Sequence, residues 1–223
     1  MSHQFPLDLK IADRFSRDRF VSDAGLNSVL DVLLRPETWI APHLVLLGPK
    51  GSGKTHLGHI FAAETGARFV TAAEVPEIEL DGRSYVIDDA DQASEEALFH
   101  LYNSVQISGQ PLVLLTEIQP LQWQVSLADL RSRLGAMRVL SLPEPDDALL
   151  SAILNKLFAE RAISPSPDAV AYIAGRMERN VAAAQKIVTE LMHYANGRAF
   201  NRGLARDFFE DGDSLPFDDG DDR

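Results

Sequence analysis

Short runs of apolar residues recur along the first two thirds of the chain, and helical patterns separate most of them. Continuous apolar runs of four or five residues are typical of strands that are buried on both faces, and the intervening segments indicate crossover helices. Together they predict an α/β fold with a five-stranded parallel sheet covered by helices. The predicted strands lie at residues 44–47, 68–71, 84–87, 112–115 and 138–142.

A second kind of pattern begins at Asp146, where the strand signal stops and apolar residues recur at helical spacing. Pro143-Glu144-Pro145 marks the change and predicts a hinge. Further on, Ser166 is the expected N-cap of a helix whose first residue is Pro167. We therefore predict four parts: a free arm at residues 1–10, an α/β domain at 11–143, a small all-helical domain at 146–209 and an acidic, disordered tail at 210–223.

The distribution of charge excludes one class of function. The 223-residue chain has a formal net charge of −12 at pH 7. Residues 207–223 contribute −7, because they hold eight acidic residues and one arginine, and this leaves −5 for the rest. Non-specific DNA binding depends on Lys and Arg that displace counterions from phosphates. We therefore expect no autonomous or sequence-specific DNA binding.

Cysteine, histidine and apolar residues restrict the possible kinds of site and class of protein further. The chain has no cysteine, which excludes disulfides and thiolate metal sites. His56 and His59 lie one helical turn apart but lack a third ligand at suitable spacing, so we predict no zinc site. No stretch approaches the roughly 18 consecutive apolar residues of a membrane span. We expect a soluble, cytoplasmic protein.

A glycine-rich segment between the first predicted strand and a helical pattern carries the clearest chemistry. Glycines at this spacing let backbone N–H groups turn inward around phosphate oxygens, while a lysine neutralises the β- and γ-phosphates and a hydroxyl binds Mg²⁺. The pattern predicts a site for ATP or ADP with Mg²⁺, with Thr55 as a metal ligand. The predicted nucleotide-binding residues are Gly48, Gly51, Ser52, Gly53, Lys54, Thr55 and His56.

Two acidic residues, Asp88 and Asp89, end the third predicted strand about thirty residues after the glycine-rich segment. A carboxylate at this strand end can reach a metal ion opposite Thr55, so we assign Asp88 to Mg²⁺ through water. Asp89 is then placed to orient an attacking water as a general base. The alternative is that the two residues cap the following helix.

Two other polar positions have more than one interpretation. Thr116-Glu117 follows the fourth predicted strand, where a polar group can either sense the γ-phosphate or belong to an ordinary turn. Arg131 and Arg133 end a short helical pattern. An arginine at a subunit edge can stabilise the phosphoryl charge on a neighbour's nucleotide, whereas charge alone indicates a solvated helix face.

Three of these segments resemble the bacterial replication initiator DnaA, of the AAA+ type: GPKGSGKTHL at residues 48–57, Ile87-Asp88-Asp89, and LRSRLG at residues 130–135. The resemblance covers residue 11 to about residue 200 and implies an AAA+ nucleotide-binding domain followed by a helical lid, with Arg133 as an arginine finger. Two departures oppose DNA melting. We expect no counterpart of the C-terminal DNA-binding domain of DnaA, and residues 72–83 are too few for the helices that grip single-stranded DNA.

The chain is more similar to the Hda group, the DnaA-like proteins that inactivate DnaA after replication starts. The segment Gln4-Phe5-Pro6-Leu7-Asp8-Leu9 resembles the short peptide by which that group docks on the sliding clamp. In such a peptide the glutamine makes polar contacts while apolar side chains fill a groove. The resemblance implies the sliding clamp and DnaA as partners, with the clamp-binding residues Gln4, Phe5, Leu7 and Leu9.

One position in the lid departs from the DnaA pattern. Ala182 stands where DnaA relatives usually present an arginine to the nucleotide, unless Arg179 or Arg176 takes that role. The departure implies weak intrinsic ATPase activity at most, with the nucleotide acting as a conformational and assembly cofactor. The resemblance therefore favours a regulator of replication initiation that stimulates ATP hydrolysis by DnaA in trans. The alternatives are a self-assembling AAA+ ATPase, such as a helicase or transposition loader, and an adaptor with a structural nucleotide; formation of a homo-oligomer is left open.

Overall fold

The computed structural model describes residues 15–79 and 81–212, and a division between two compact units falls after Pro143. No helix in those two ranges has the length and apolar character needed to span a membrane. The predicted clamp-binding residues lie outside the described part of the chain: Gln4, Phe5, Leu7 and Leu9.

The first unit is built on a five-stranded parallel sheet, as predicted. Its strands are β1 (His43–Leu47), β2 (Arg68–Thr71), β3 (Tyr85–Asp88), β4 (Leu112–Thr116) and β5 (Arg138–Ser141). Their order in the sheet is β2-β3-β4-β1-β5. Every residue of β4 is buried, and so are the first four of β1, as expected for central strands that are covered on both faces.

The register of the strands brings their carboxyl ends to one edge of the sheet. Leu47 at the end of β1 pairs with Thr116 at the end of β4, and Thr71 at the end of β2 pairs with Asp88 at the end of β3. Ligands of open α/β sheets bind outside this edge. The glycine-rich loop, Asp88 and Thr116 therefore share the edge at which a ligand is expected.

Among the described residues of this unit, four α-helices flank the sheet: α1 (Ala24–Leu33), α2 (Lys54–Thr65), α3 (Glu95–Ser108) and α4 (Ala128–Ala136). Asp23 caps α1 by accepting a hydrogen bond from the Leu26 N–H at 2.7 Å, which satisfies one of the free donors at the helix start. A large hydrophobic core joins the sheet to α3 and α4, with Leu101 and Leu134 almost completely buried. This core fixes α3 and α4 relative to the carboxyl edge.

The connection between β2 and β3 is compact. Its described residues hold one 3-10 helix, Ala72–Glu77, which begins with a capping box. The Thr71 N–H donates to Glu74 Oε2 at 2.6 Å, and this hydrogen bond is the main reason that the pKa of Glu74 is lowered. No α-helix is found among the described residues of this connection.

The second unit is helical and comprises α5 (Asp147–Ala159), α6 (Pro167–Ala174), α7 (Val181–Ala195) and α8 (Arg202–Gly212). Asp146 caps α5 by accepting from the Leu149 N–H at 2.7 Å, and Asn180 caps α7 in the same way. Ser166 precedes Pro167 as predicted, but its side chain accepts no hydrogen bond from α6. The Ala169 N–H, which such a cap could accept, donates instead to the Ser166 carbonyl oxygen at 3.0 Å and to Asp168 Oδ1 at 3.1 Å.

The last helix is longer than the sequence pattern suggested. It includes residues 210–212, which the prediction placed in the disordered tail. Two contacts account for the difference. The Tyr194 ring packs edge-on against Phe208 with centroids 5.5 Å apart, and the Tyr194 hydroxyl donates to the Asp211 carboxylate. The remainder of the predicted tail, residues 213–223, lies outside the described part of the chain.

Candidate nucleotide-binding site

The loop between β1 and α2 depends on its glycines. Gly51 and Gly53 have φ angles of 74° and 99°, in the left-handed region that other residues adopt only with strain. A Cβ atom on Gly48 would lie 2.6 Å from Ser52 Oγ and 3.2 Å from Leu142 Cβ. The loop can follow this path only because these positions lack side chains.

The start of α2 has no side-chain cap among the described residues. The first N–H groups of a helix have no partner within the helix, and the N-cap residue Gly53 has no side chain to provide one. Ser52 Oγ is buried and has no hydrogen-bond partner among the described residues. A phosphate group would satisfy both the hydroxyl and the backbone donors.

Lys54 places a buried ammonium group in the same loop. Its side chain is 7% exposed, and Nζ donates to the carbonyl oxygens of Gly48 at 2.7 Å and Pro49 at 3.0 Å. Glu117 Oε1 lies 3.9 Å from Nζ. Burial lowers the pKa of Lys54, while Glu117 and then Asp88 oppose that shift. A buried cation whose nearest carboxylate oxygen lies 3.9 Å away still favours the binding of an anionic ligand.

Thr55 and Asp88 come together across the edge of the sheet. Thr55 Oγ1, in the first turn of α2, donates to Asp88 Oδ2 at 2.9 Å. Burial raises the pKa of Asp88, and the hydrogen bond from Thr55 partly offsets the shift. A hydroxyl and a carboxylate are oxygen donors of the kind that Mg²⁺ takes in nucleotide sites. The pair therefore fits the predicted metal ion.

Asp89 follows directly and is exposed, with a left-handed backbone at φ 50° and ψ 43°. This conformation is uncommon outside glycine, although aspartate tolerates it better than most residues. The Asp89 N–H donates to Asp88 Oδ1 at 3.2 Å, and the Asp89 side chain does not cap the short 3-10 helix that follows. This geometry disfavours the capping alternative for Asp89, and its role as general base stays a prediction.

The two residues after β4 have different surroundings. Thr116 is completely buried, its Oγ1 lies 2.8 Å from Asp91 Oδ1, and it accepts a hydrogen bond from the Ile118 N–H at 3.2 Å. Glu117 faces Lys54 instead. The Thr116 hydroxyl thus makes a local turn contact with Ile118 and also links the end of β4 to Asp91. Its role in sensing phosphate stays a prediction.

An aromatic cluster beside the loop was missed in the sequence. Phe15 stacks on His59 with centroids 4.4 Å apart, and Phe20 meets the His56 ring edge-on at 5.1 Å. Phe20 also lies 3.8 Å from the position that a Cβ on Gly53 would take, so the cluster borders the loop. Burial lowers the pKa of His59. The rings were visible in the sequence, but no local pattern links them to α2, some forty residues away.

The predicted arginine finger lies on α4. The guanidinium of Arg133 donates to the side chains of Asn103 and Asp129, and that of Arg131 donates to the Val125 carbonyl. Both groups are therefore engaged by neighbouring residues within the first unit. The role of Arg133 in trans stays a prediction.

The candidate lid arginines occupy different environments within the second unit. Arg179 Nη1 donates to Asp147 Oδ1 at 2.7 Å. The guanidinium of Arg176 lies 3.7 Å from the centroid of the Tyr172 ring. Ala182 lies in the first turn of α7, where it offers no polar group.

Comparison with known proteins gives a distant relative. No protein-family profile matches the chain. An uncharacterized protein of Haemophilus influenzae is 27% identical over 203 residues, which cover 81% of this chain and 86% of that protein. This uncharacterized relative indicates no activity for the chain.

Solved structures give a closer likeness in shape. Domain III of the Thermotoga maritima replication initiation protein DnaA superposes with a TM-score of 0.73 at 19% identity, over 89% of this chain and 96% of that one. AMPPCP-bound DnaA from Aquifex aeolicus gives 0.68 at 17%, over 90% and 70%. The Thermotoga maritima RuvB Holliday junction branch migration motor gives 0.66 at 22%, over 87% and 71%. The chain therefore has the AAA+ fold.

Proposed function

We propose that this chain is a DnaA-related AAA+ protein that binds ATP or ADP with Mg²⁺ and regulates the initiation of chromosome replication in the cytoplasm. The observation that carries the proposal is the convergence of Lys54, Thr55 and Asp88 around a loop in which the buried Ser52 hydroxyl has no hydrogen-bond partner among the described residues. Bound Mg²⁺ would neutralise phosphate charge beside Thr55 and Asp88. The likeness to an AMPPCP-bound DnaA supports a nucleotide as the ligand.

The nucleotide acts mainly as a conformational cofactor in this proposal. Asp89 is available to orient water, but Ala182 supplies no guanidinium and Arg179 is paired with Asp147. Intrinsic hydrolysis is therefore weak. A nucleotide that binds one conformation better than another still shifts the population toward that conformation without being hydrolysed.

The regulatory step takes place on a partner. The arm at residues 4–9 docks on the sliding clamp, which raises the local concentration of the chain near newly replicated DNA. Arg133 then enters the nucleotide site of ATP-bound DnaA, where a guanidinium stabilises the charge of the phosphoryl group as water attacks it and ADP leaves. The sequence resemblance to the Hda group supports this step.

The test is a single-turnover assay of ATP hydrolysis by DnaA in the presence of clamp loaded on DNA. Wild-type chain should accelerate hydrolysis, and Arg133→Ala should reduce the accelerated rate by at least about a hundredfold, as expected for an arginine finger. Arg131→Ala, in the same segment, is the matched control and should keep most of the acceleration. A chain lacking residues 4–9 should lose the dependence on clamp.

A self-assembling AAA+ ATPase is the second candidate. The likeness to RuvB and the strained, exposed Asp89 beside Asp88 favour it. Under this alternative the chain alone hydrolyses ATP with multiple turnovers, and Asp89→Asn abolishes that activity. Such a result, together with no effect on DnaA, would replace the regulatory proposal.

A further inference from the structure

One face of α3 is built around the guanidinium of Arg133. It carries Phe99, Tyr102, Asn103 and Gln106, which share one helix stripe and are called the α3 clamp below. The guanidinium carbon lies 5.1 Å from the centroid of Phe99 and 5.3 Å from that of Tyr102. Nη1 donates to Asn103 Oδ1 and lies 3.5 Å from Gln106 Oε1. All four residues of the stripe therefore contact the same cationic group.

The enclosure is deep for a residue that is proposed to act on another subunit. The Arg133 side chain is only 28% exposed, whereas that of its ion-pair partner on α4, Asp129, is 68% exposed. Exposed helical ion pairs contribute little to stability. Cation–π contacts become stronger as water is excluded, and the ring faces of α3 exclude it here. The α3 clamp therefore supplies most of what holds Arg133.

The held position and the proposed active position exclude each other. An arginine that stabilises a phosphoryl group must direct its N–H donors at phosphate oxygens. In the held position Nη1 is directed at Asn103 and Nη2 donates to Asp129 at 3.1 Å. Arg133 must therefore leave the α3 clamp before it can reach a nucleotide on a partner.

We propose that the α3 clamp stores Arg133 in cis, and that the phosphate charge of an ATP-loaded AAA+ partner draws it out. This inference rests on the proposed function, because it takes Arg133 as the residue that acts in trans. The free chain is then held in a less active state. Any substitution that weakens the α3 clamp alone raises the fraction of chains with a released Arg133.

Asn103 is the position at which the clamp can be changed with least disturbance. Within the described residues its side chain makes no hydrogen bond except that with Arg133. Tyr102 is unsuitable, because it belongs to the hydrophobic core and also packs on His43. Asn103→Ala removes the acceptor, whereas Asn103→Asp replaces it with a charged one that binds a guanidinium more strongly.

The first measurement tests, without any partner, how accessible Arg133 is in the α3 clamp. Phenylglyoxal, which modifies guanidinium groups, is applied to the full chain, and modification of Arg133 is followed by mass spectrometry. Loss of one hydrogen bond should make Arg133 in Asn103→Ala react about fivefold faster, and Asn103→Asp should react more slowly than wild type. Modification of Arg131 in the same samples is the internal control and should not change. Equal rates at Arg133 in all three proteins would overturn the inference.

The second measurement tests how the α3 clamp affects stimulation of ATP hydrolysis. It uses the single-turnover DnaA assay with the chain at a limiting concentration. Asn103→Ala should raise the stimulated rate by up to about fivefold and Asn103→Asp should lower it. The double variant Asn103→Ala/Arg133→Ala should match Arg133→Ala. A lower rate with Asn103→Ala would mean that Asn103 positions Arg133 for action and would overturn storage. If wild type does not stimulate DnaA, the proposed function fails, and the phenylglyoxal measurement alone decides on the clamp.

Discussion

The glycine-rich loop at residues 48–53 and the α3 clamp each enclose one cationic side chain, but they do so with different parts of the chain. Lys54 donates to carbonyls of its own loop, five and six residues away. Arg133 is held by side chains of α3 about 30 residues earlier in sequence. The first enclosure is made by local backbone and the second by tertiary contact between two helices.

This difference determines how each enclosure responds to mutation. Backbone carbonyls stay in place as long as the loop keeps its path. The loop therefore tolerates substitution only at positions that require neither a glycine nor a charged side chain. The α3 clamp consists of side chains, and single substitutions can weaken or strengthen it in small steps. The glycine-rich loop is therefore a fixed enclosure, whereas the α3 clamp is an adjustable one.

Replacement of the enclosed lysine should produce the largest effect. Lys54→Met should weaken binding of ATP or ADP about a hundredfold, because a charge-assisted contact to phosphate is lost. Burial lowers the pKa of Lys54, which means that the buried charge is unfavourable without a ligand. The nucleotide-free variant should therefore be no less stable than wild type in urea unfolding, while calorimetric titration shows the loss of affinity.

The matched control for this change is Lys50→Met. Lys50 is in the same loop but exposed, so its replacement should leave nucleotide affinity close to that of wild type. Equal losses in the two variants would show that only the net positive charge of the loop matters. The backbone enclosure of Lys54 would then have no special part in binding.

A methyl group in the loop should have the next largest effect. Gly48→Ala brings a Cβ to 2.6 Å from Ser52 Oγ and 3.2 Å from the Leu142 side chain, and overpacking of this kind costs about 2 kcal/mol in the free energy of unfolding. Gly66→Ala is the control, because Gly66 has a φ of 75° but no atom within 4 Å of its Cβ position. It should cost about 1 kcal/mol from backbone strain alone. Equal costs in urea unfolding would contradict steric closure of the loop at Gly48.

Much of the glycine-rich loop and of the sheet that carries it could be predicted, because the sequence patterns that determine them are local. The five strands are short apolar runs, and the loop is a fixed spacing of glycines with Lys54 and Thr55. Parallel strands then bring Asp88 to the same edge by topology alone, where it meets Thr55 at 2.9 Å. Each step depends on residues that are adjacent in sequence or on a general rule of sheet construction.

The α3 clamp could not be predicted in the same way. The contact of Arg133 with Asn103 depends on how α3 and α4 pack, and charge patterning on α4 by itself indicated only a solvated face.

The stacking of Phe15 on His59 is also a long-range contact without a local pattern. The helical continuation to Gly212 was missed because the acidic composition of the segment outweighed its contacts with Tyr194.

The smallest effect concerns His43, which lies beneath the α3 clamp. Its ring is 2% exposed, packs 4.4 Å from the centroid of Tyr102, and has no hydrogen-bond partner at either nitrogen among the described residues. Burial lowers the pKa of His43; the nearby Pro42 carbonyl opposes the shift without reaching hydrogen-bonding geometry, and Arg133 adds to it. The folded protein therefore keeps this ring neutral at pH values where the unfolded chain takes up a proton.

This shift fixes the sign of the pH dependence. Because the unfolded chain binds the proton more readily, stability is fully present above the ordinary histidine pKa of about 6.5 and falls as the pH drops below it. His43→Leu removes an unsatisfied polar group and should raise the free energy of unfolding by about 1 kcal/mol at pH 7. The gain in the free energy of unfolding over wild type should widen by pH 5 in urea unfolding.

His100→Gln, at an exposed position on α3, is the control and should show no such widening. A pH-independent gain in His43→Leu would mean that the ring is hydrated in the folded protein, and the base of the α3 clamp would then be open to water.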